Sequence, residues 1–139
     1  MVGKLGQYIF ITSGKHNTQD CVEGGLYPFF DRSSAVKSSN RYLFDCEAVI
    51  FPGEGKNFTP RYYSGKFDLH QRCYCLTPKA GVLCKYLYYN LLFHRDYFAR
   101  VATGSTVPSL RLAHFLDMPV TIHPIDDQRH IVGTTSSLP

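Results

Sequence analysis

The sequence contains no tryptophan and no apolar run close to the roughly 20 residues that a membrane-spanning helix requires. Its N-terminus also lacks the charged and then apolar pattern of a secretion signal. Of its 139 residues, 44% are hydrophobic and 19% are charged, which is typical of a folded chain and not of a disordered one. We therefore expect one soluble, cytoplasmic domain without a membrane segment.

The cysteine pattern gives little support for disulfide bonds or a metal site. An odd number of cysteines without a secretion signal argues against a disulfide framework. Cys73 and Cys75 form one Cys-x-Cys pair with His70 three residues upstream of it, but no second ligand pair is evident. The five cysteines are Cys21, Cys46, Cys73, Cys75 and Cys84. We predict buried thiols, no metal and no other cofactor.

Motifs for catalysis are scarce. The chain has no Gly-x-Ser-x-Gly nucleophile elbow, and the segment "PGEGK" lacks the spacing of a phosphate-binding loop. Glu47 and Glu54 flank a predicted strand, so paired carboxylates for acid–base chemistry stay an alternative. A small hydrolase or metal protein would use His70, Cys73, Cys75 or Glu54. We expect a protein that is not an enzyme.

Short β-like segments dominate the first half of the chain, separated by clusters of Gly, Pro, Asn, Asp and Ser. Strands are predicted over residues 8–12, 26–30, 41–44, 48–51, 61–63, 72–76 and 119–122. The sequence "YYSGKF" predicts a hairpin turn at residues 64–65. Apolar spacing predicts one long helix over residues 81–101 and a minor helix over 111–116, and the acidic pair 126–127 suits the start of a last helix. This pattern predicts an α+β fold.

Three loops between the predicted strands combine cations with small hydroxyl or amide side chains. Lys and Arg offer N–H donors to phosphates, Arg matches the guanine edge, and Asn matches the adenine edge. The net charge of +4 permits a polyanionic partner without requiring one. The loops are therefore either ordinary solvated turns or contacts to nucleic acid. The candidate residues are Lys15, His16, Asn17, Arg32, Ser33, Ser34, Lys37, Lys56, Asn57, Thr59, Arg61, Tyr62 and Lys66.

Several stretches resemble one protein family in their order and spacing. Residues 104–132, "GSTVPSLRLAHFLDMPVTIHPIDDQRHIV", resemble the end of a target recognition domain from the specificity subunits of type I restriction–modification systems. Upstream, "KLGQYIFITSGK", "YPFFDRSS", "YLFDCEAVIFPGEG" and "SGKFDLHQRCYCLTP" resemble its first and central strands. The resemblance covers about residues 4–132, with His123 and Asp127 as mild departures from the family pattern.

The resemblance implies a twisted, mostly antiparallel sheet of short strands and a function without catalysis. A domain of this family reads one half of a bipartite double-stranded DNA target. Adenine methylation and DNA cleavage belong to the partner modification and restriction subunits, and a second recognition domain reads the other half. The open alternative is an interaction module that keeps the fold, does not bind DNA and competes for the modification subunits.

The resemblance also bears on the end of the chain. The family continues the helix that starts near Asp126 as a long spacer, whereas "GTTSSLP" at residues 133–139 is predicted not to continue it. We therefore expect one recognition domain over residues 1–132 and a disordered or non-native tail over residues 133–139.

Two loop residues are expected to play different roles. Arg can read guanine bidentately, so Arg61→Ala should weaken binding to one specific sequence. Lys on a serine-rich loop is expected to meet phosphate, so Lys37→Ala should weaken binding to all sequences alike. The turn at residues 104–106 is expected to shape the backbone rather than to read bases.

Overall fold

The computed structural model describes residues 2–55, 57–104 and 106–136. These residues form eight strands: β1 (Val2–Lys4), β2 (Ile9–Ser13), β3 (Tyr27–Phe30), β4 (Lys37–Ser39), β5 (Phe44–Pro52), β6 (Arg61–Leu69), β7 (Cys73–Pro78) and β8 (Pro119–Thr121). They also form four α-helices: α1 (Cys84–Phe93), α2 (Arg95–Val101), α3 (Leu112–Leu116) and α4 (Ile125–Ser136). None of these helices is long and apolar enough to cross a membrane.

The strands form two sheets. Six of them lie in the order β2-β7-β5-β6-β3-β4, and β1 pairs with β8 separately. Every pair is antiparallel except β3 with β6, which is parallel. The predicted α+β fold with a twisted, mostly antiparallel sheet is therefore confirmed. Strands β1 and β4, of three residues each, were not predicted.

Strand β6 curls back on itself. Its first residue, Arg61, pairs with Ile50 near the end of β5. The carbonyl of its last residue, Leu69, accepts the N–H of Lys15 at 3.2 Å, just beyond the end of β2. Both ends of the strand thus lie near the same end of the sheet, and Gly65 at mid-strand takes a φ of 135° that suits a bend in a strand.

The predicted hairpin at residues 64–65 is wrong. Gly65 pairs with Cys46 inside the ladder between β5 and β6, and the chain does not reverse there. A Ser-Gly pair is a common turn signal, but here the glycine allows the strand to bend. The predicted strands 41–44 and 48–51 also merge into the single strand β5, which continues through the polar residues between them.

The core has two parts because both faces of the sheet are covered. One cluster lies between the sheet and the helices, where the ring of Phe51 lies 4.4 Å from Phe98 and 5.1 Å from Phe115, centroid to centroid. The other cluster fills the inside of the curled sheet and includes Ile50 and Phe67. Consecutive residues of β5 therefore point into different clusters, which explains an apolar run without alternation.

The long helix predicted over residues 81–101 is two helices. The backbone breaks at His94, with φ −110° and ψ 22°, and the Nδ1 atom of His94 lies 2.8 Å from the carbonyl of Asn90. In α1 the buried residues Leu87 and Leu91 are one helical turn apart. One turn further along the chain the side chains are polar. Phe98, seven residues after Leu91, keeps the spacing of the buried face across the break.

Helix α4 starts where predicted but does not end at residue 132. It continues through Gly133 to Ser136, so the prediction that "GTTSSLP" leaves the helix is wrong for residues 133–136. One glycine costs a helix about 1 kcal/mol, which packing of the first turns can offset. Residues 137–139 lie outside the described part of the chain.

Candidate functional site

Loops that are distant in sequence meet at one end of the curled sheet. We call this surface the loop end, and it comprises the described residues of 14–17, 31–34, 53–60, 70–72 and 103–110. Backbone hydrogen bonds join these loops. The N–H of His70 donates to Phe30 O at 3.0 Å, and the N–H of Gly55 donates to Pro108 O at 3.0 Å. The loop end is thus a connected surface and not a set of free turns.

Six of the predicted residues line one cavity of about 340 Å³ at the loop end, which we call the first groove. Its polar lining comes from two loops that follow β3 and β5 and from the start of β6. The predicted residues that line it are Arg32, Ser33, Ser34, Asn57, Thr59 and Arg61. Tertiary structure therefore joins two of the three predicted loops into one site.

Arg61 lies in the wall of the first groove and supports the 31–34 loop. Its Nη2 atom donates to the carbonyl of Ser33, and its guanidinium carbon lies 5.5 Å from the centroid of the Phe30 ring. Its Nη1 atom is buried and has no hydrogen-bond partner among the described residues. The guanidinium is therefore held inside the groove wall, where it fixes the 31–34 loop.

Lys37 is also tied to this loop. Its ammonium lies 2.7 Å from Asp31 Oδ2 and 3.1 Å from Ser33 Oγ. Burial raises the pKa of Asp31, but hydrogen bonds from Lys37 and Ser33 outweigh it, so the pKa lies below its usual value. The ion pair with buried Asp31 stiffens the loop that carries Arg32 and Ser34.

Arg32, which lines the first groove, forms an ion pair with Glu54 from the neighbouring groove. The Arg32 Nη1 atom lies 3.6 Å from Glu54 Oε1, and the Arg32 side chain is 52% exposed. This long ion pair in solvent is weak, so Arg32 can exchange Glu54 for an anionic ligand. Asn57 and Thr59, on the same loop as Glu54, are exposed beside it.

The third predicted loop lies next to this groove. Lys15 is exposed, whereas the Nδ1 atom of His16 lies 2.6 Å from Oδ1 of buried Asp68. The Oδ1 atom of Asn17 accepts a hydrogen bond from the amide of Gln71. In the structure His16 and Asn17 therefore support neighbouring elements, and Lys15 faces solvent.

Two of the predicted residues that the structure describes do not join the loop end. Tyr62 lies on the opposite face of β6, where its hydroxyl donates to Glu47 and its pKa is raised by burial and by that carboxylate. Lys66 lies further along β6, with its ammonium 5.0 Å from the centroid of the Tyr42 ring. Lys56 lies outside the described residues.

A second cavity of about 500 Å³ opens on the other side of Glu54, and we call it the second groove. It contains two exposed residues that were not predicted, Gln71 and Arg72, in the turn between β6 and β7. They were missed because residue 72 was assigned to a strand. The adjacent Gln-Arg pair ahead of that strand was the signal that could have identified them.

The residues considered for catalysis or metal binding do not gather into a site. Among the described residues, no group of three or more His, Cys, Asp or Glu side chains could hold a metal ion. Cys73 and Cys75 lie on the same face of β7, as expected for a strand, and are buried. Burial raises the pKa of the Cys73 thiol to about 12, so this thiol is protonated near neutral pH.

Comparisons with known proteins agree with the resemblance seen in the sequence. A curated relative, the specificity subunit of the type I restriction enzyme EcoDI from Escherichia coli, is 30% identical over 135 residues. The match covers 97% of this chain, and the chain spans 30% of the length of that relative.

Two solved structures share the fold. The specificity subunit of a type I restriction–modification system from M. genitalium matches with a TM-score of 0.84 and 16% identity, over 98% of this chain and 38% of that chain. The HsdS subunit from Thermoanaerobacter tengcongensis matches with a TM-score of 0.75 and 14% identity, over 98% and 36% respectively. At such identities the likeness concerns the fold.

A family model decides the assignment. The model for type I restriction modification DNA specificity domains matches residues 3–138, which is nearly the whole chain and includes helix α4 to its end. The chain therefore belongs to the family of type I restriction modification DNA specificity domains.

Proposed function

We propose that this chain is a sequence-specific reader of double-stranded DNA that recognises one half of a bipartite target. In this proposal it has no catalytic activity, and partner modification and restriction subunits carry out adenine methylation and cleavage. A second recognition domain reads the other half of the target, and the assembly works in the cytoplasm. The family name supports DNA as the ligand.

The observation that carries the proposal is the composition of the first groove. Arginine, serine, asparagine and threonine side chains from separate loops converge on one open cavity. These are the side chains that bond base edges and phosphates in DNA complexes. The supporting bonds of Arg61 and Lys37 hold the 31–34 loop in place before DNA arrives, which lowers the entropy cost of binding.

Charge supports the same surface. The chain carries a net charge of +4, and the loop end exposes Lys15, Arg32 and Arg72. The exposed acidic residues Asp126 and Asp127 lie in the first turn of α4. Lys15 and Arg72 form no ion pair with any residue that the structure describes, so phosphates can bind these cations directly, and release of counterions would supply sequence-independent affinity.

Selection from a randomised library of duplexes tests the proposal. The protein is mixed with the library at about 50 mM salt, where phosphate contacts are strong, and bound duplexes are sequenced. We expect an enriched half-site a few base pairs long. If about five phosphates are neutralised, log affinity should fall against log salt with a slope of roughly −4 to −5.

Two other results would change the proposal in different ways. Salt-sensitive retention of all duplexes without enrichment would mean that this domain binds DNA but reads sequence only within the complex. Absence of any retention would favour the interaction module that competes for modification subunits.

A further inference from the structure

The turn between β6 and β7, residues 70–72, sits at the centre of the loop end. It lies between the loop that follows β2 and the loop that follows β5. The N–H of Gln71 donates to His16 O at 2.9 Å on one side, and Arg72 O accepts the N–H of Gly53 at 2.9 Å on the other. The backbone of the 70–72 turn is therefore fixed from both sides.

Two glycines allow this close approach. A Cβ atom on Gly14 would lie 2.3 Å from the carbonyl oxygen of His70, and one on Gly53 would lie 2.1 Å from that of Arg72. Any larger residue would push the neighbouring backbone away. The chain thus packs the 70–72 turn against backbone on both sides, which leaves it little freedom to move.

The His70 side chain forms a hydrogen bond inside the 70–72 turn. Its Nδ1 atom accepts the N–H of Arg72 at 3.0 Å, which requires that this nitrogen carry no proton. Burial lowers the pKa of His70, and together with the Arg72 and Arg32 cations it outweighs the Asp31 and Glu54 carboxylates, which raise that pKa. The lowered pKa favours the neutral imidazole that this hydrogen bond requires. The ring also packs edge-on to Phe29, with centroids 6.4 Å apart.

The Gln71 amide keeps a donor and an acceptor for a ligand. One of its two N–H groups donates to Asn17 Oδ1, which fixes the plane of the amide. The second N–H and the Oε1 atom have no partner among the described residues and are exposed. One free donor beside one free acceptor is the arrangement that pairs with N7 and N6 of adenine in the major groove.

Arg72 offers a complementary set of donors. Its side chain is exposed on the second groove and forms no hydrogen bond or ion pair with any residue that the structure describes. Its guanidinium fork matches O6 and N7 of guanine. Arg61, by contrast, is held by Ser33, and Arg32 shares its charge with Glu54.

We propose that the 70–72 turn is a base-reading element in which Gln71 reads adenine and Arg72 reads guanine in the major groove, while Asn17 is a positioning residue for Gln71. The inference deepens the proposed function and rests on it. It adds to the surface that contacts bases a turn that none of the three loops predicted from sequence includes.

The experiment compares duplex libraries selected by the wild-type chain and by point variants. Arg72→Lys keeps the charge but loses the fork, so overall affinity and the salt slope should persist while preference for guanine at one position falls about tenfold. Gln71→Ala should lower preference for adenine at another position by a similar factor. Lys15→Ala, a neighbouring exposed cation, is the control and should weaken binding to all sequences alike.

Two further variants separate reading from folding. Gln71→Glu replaces the free donor by an acceptor, so preference should shift from adenine toward cytosine. Asn17→Ala should reproduce the positional loss of Gln71→Ala in a chain that still unfolds cooperatively, because the Asn17 side chain holds the Gln71 amide.

The outcomes distinguish the inference from the proposed function. If the wild-type chain enriches a half-site and both Gln71→Ala and Arg72→Lys enrich the same half-site, the inference is overturned and the proposed function stands. If the wild-type chain retains duplexes without enriching any sequence, the inference is overturned and DNA binding stands, and if it retains no duplex at any salt concentration, both are overturned. Loss of preference at one separate position in each variant supports both.

Discussion

Two regions of this molecule use polar groups in opposite ways. We call the first the helix junction, where the fully buried side chain of Gln128 joins α4 to the start of α1. Its Oε1 atom accepts the N–H of Leu83 at 2.8 Å, and its Nε2 atom donates to the carbonyls of Gly81 and His123, both at 2.8 Å. At the loop end, Lys15, Gln71 and Arg72 instead leave donors exposed to solvent.

The difference separates groups that hold the fold from groups that await a ligand. A buried amide that makes three internal hydrogen bonds stabilises one arrangement of helices and is out of reach of an external partner. An exposed guanidinium beside a cavity contributes little to folding and keeps its donors for binding. Arg61 lies between these cases, because it is a cation of the loop end that bonds internally.

The largest expected effect belongs to the helix junction. Gln128→Leu removes all three hydrogen bonds and leaves one N–H and two carbonyls without their partner, which should lower the free energy of unfolding by about 3 kcal/mol. Urea unfolding measures this loss. Arg129→Ala, on the exposed face of the next position, is the control and should change stability by less than about 1 kcal/mol.

The same pair of variants tests whether the two regions are independent. Gln128→Leu should select the same duplex sequences as the wild-type chain at a temperature where it remains folded. A changed sequence preference in the folded variant would show that the helix junction contributes to reading, and the contrast between the regions would be lost.

Arg61→Ala should affect both stability and binding. Loss of the hydrogen bond to Ser33 O and of the contact with the Phe30 ring should lower the free energy of unfolding by about 2 kcal/mol. The loosened 31–34 loop should also weaken preference at positions read by the first groove. Arg95→Ala removes an equal charge from exposed α2 and should do neither. Unchanged stability in Arg61→Ala would contradict the supporting role of this residue.

The Asp31–Lys37 pair predicts a pH dependence. Because the pKa of Asp31 is lowered in the folded state, the pair stabilises the protein fully above the unfolded pKa, about 3.9, and this stabilisation is lost as the pH falls through the folded pKa. Lys37→Met should therefore cost about 1 kcal/mol at pH 7 and much less at pH 3. Unfolding curves at both pH values measure the difference, and an equal cost at both would contradict the ion pair.

The smallest effect concerns the end of the chain. Gly133 lies inside α4, and a Cβ atom added to it would have no neighbouring atom within 4 Å, so Gly133→Ala should raise the free energy of unfolding by about 0.5 to 1 kcal/mol. Circular dichroism should show no loss of helix. Destabilisation would instead indicate that the helix ends before residue 133, as the sequence predicts.

Sequence reasoning identified the family but not how the cations of the predicted loops are used. Whether an arginine faces solvent or a carbonyl depends on neighbours that are distant in the chain. Arg61 meets Ser33 only because β6 curls and brings the 31–34 loop over its start. Lys37 and Asp31 are closer in sequence, yet their contact depends on the turn into β4.

The two wrong local predictions, the hairpin at residues 64–65 and the end of the last helix, also arise from contacts between distant parts of the chain. Ser64 and Gly65 are typical of a hairpin turn, and only their pairing with β5 shows that the strand continues. Gly133 is a poor helix residue, and the anchoring of α4 by Gln128 overrides that preference. In both cases tertiary contacts outweigh a local propensity of about 1 kcal/mol per residue.

The most direct test of the account compares two triple variants that remove equal charge from different surfaces. The variants are Lys15→Ala/Arg32→Ala/Arg72→Ala at the loop end and Lys85→Ala/Arg95→Ala/Arg100→Ala on α1 and α2. The measurement is the slope of log affinity for duplex DNA against log salt. The account predicts a slope that is shallower by about 2 to 3 for the loop-end variant and unchanged for the helix variant. A slope that is shallower for the helix variant and unchanged for the loop-end variant would place DNA on the helices and contradict the account.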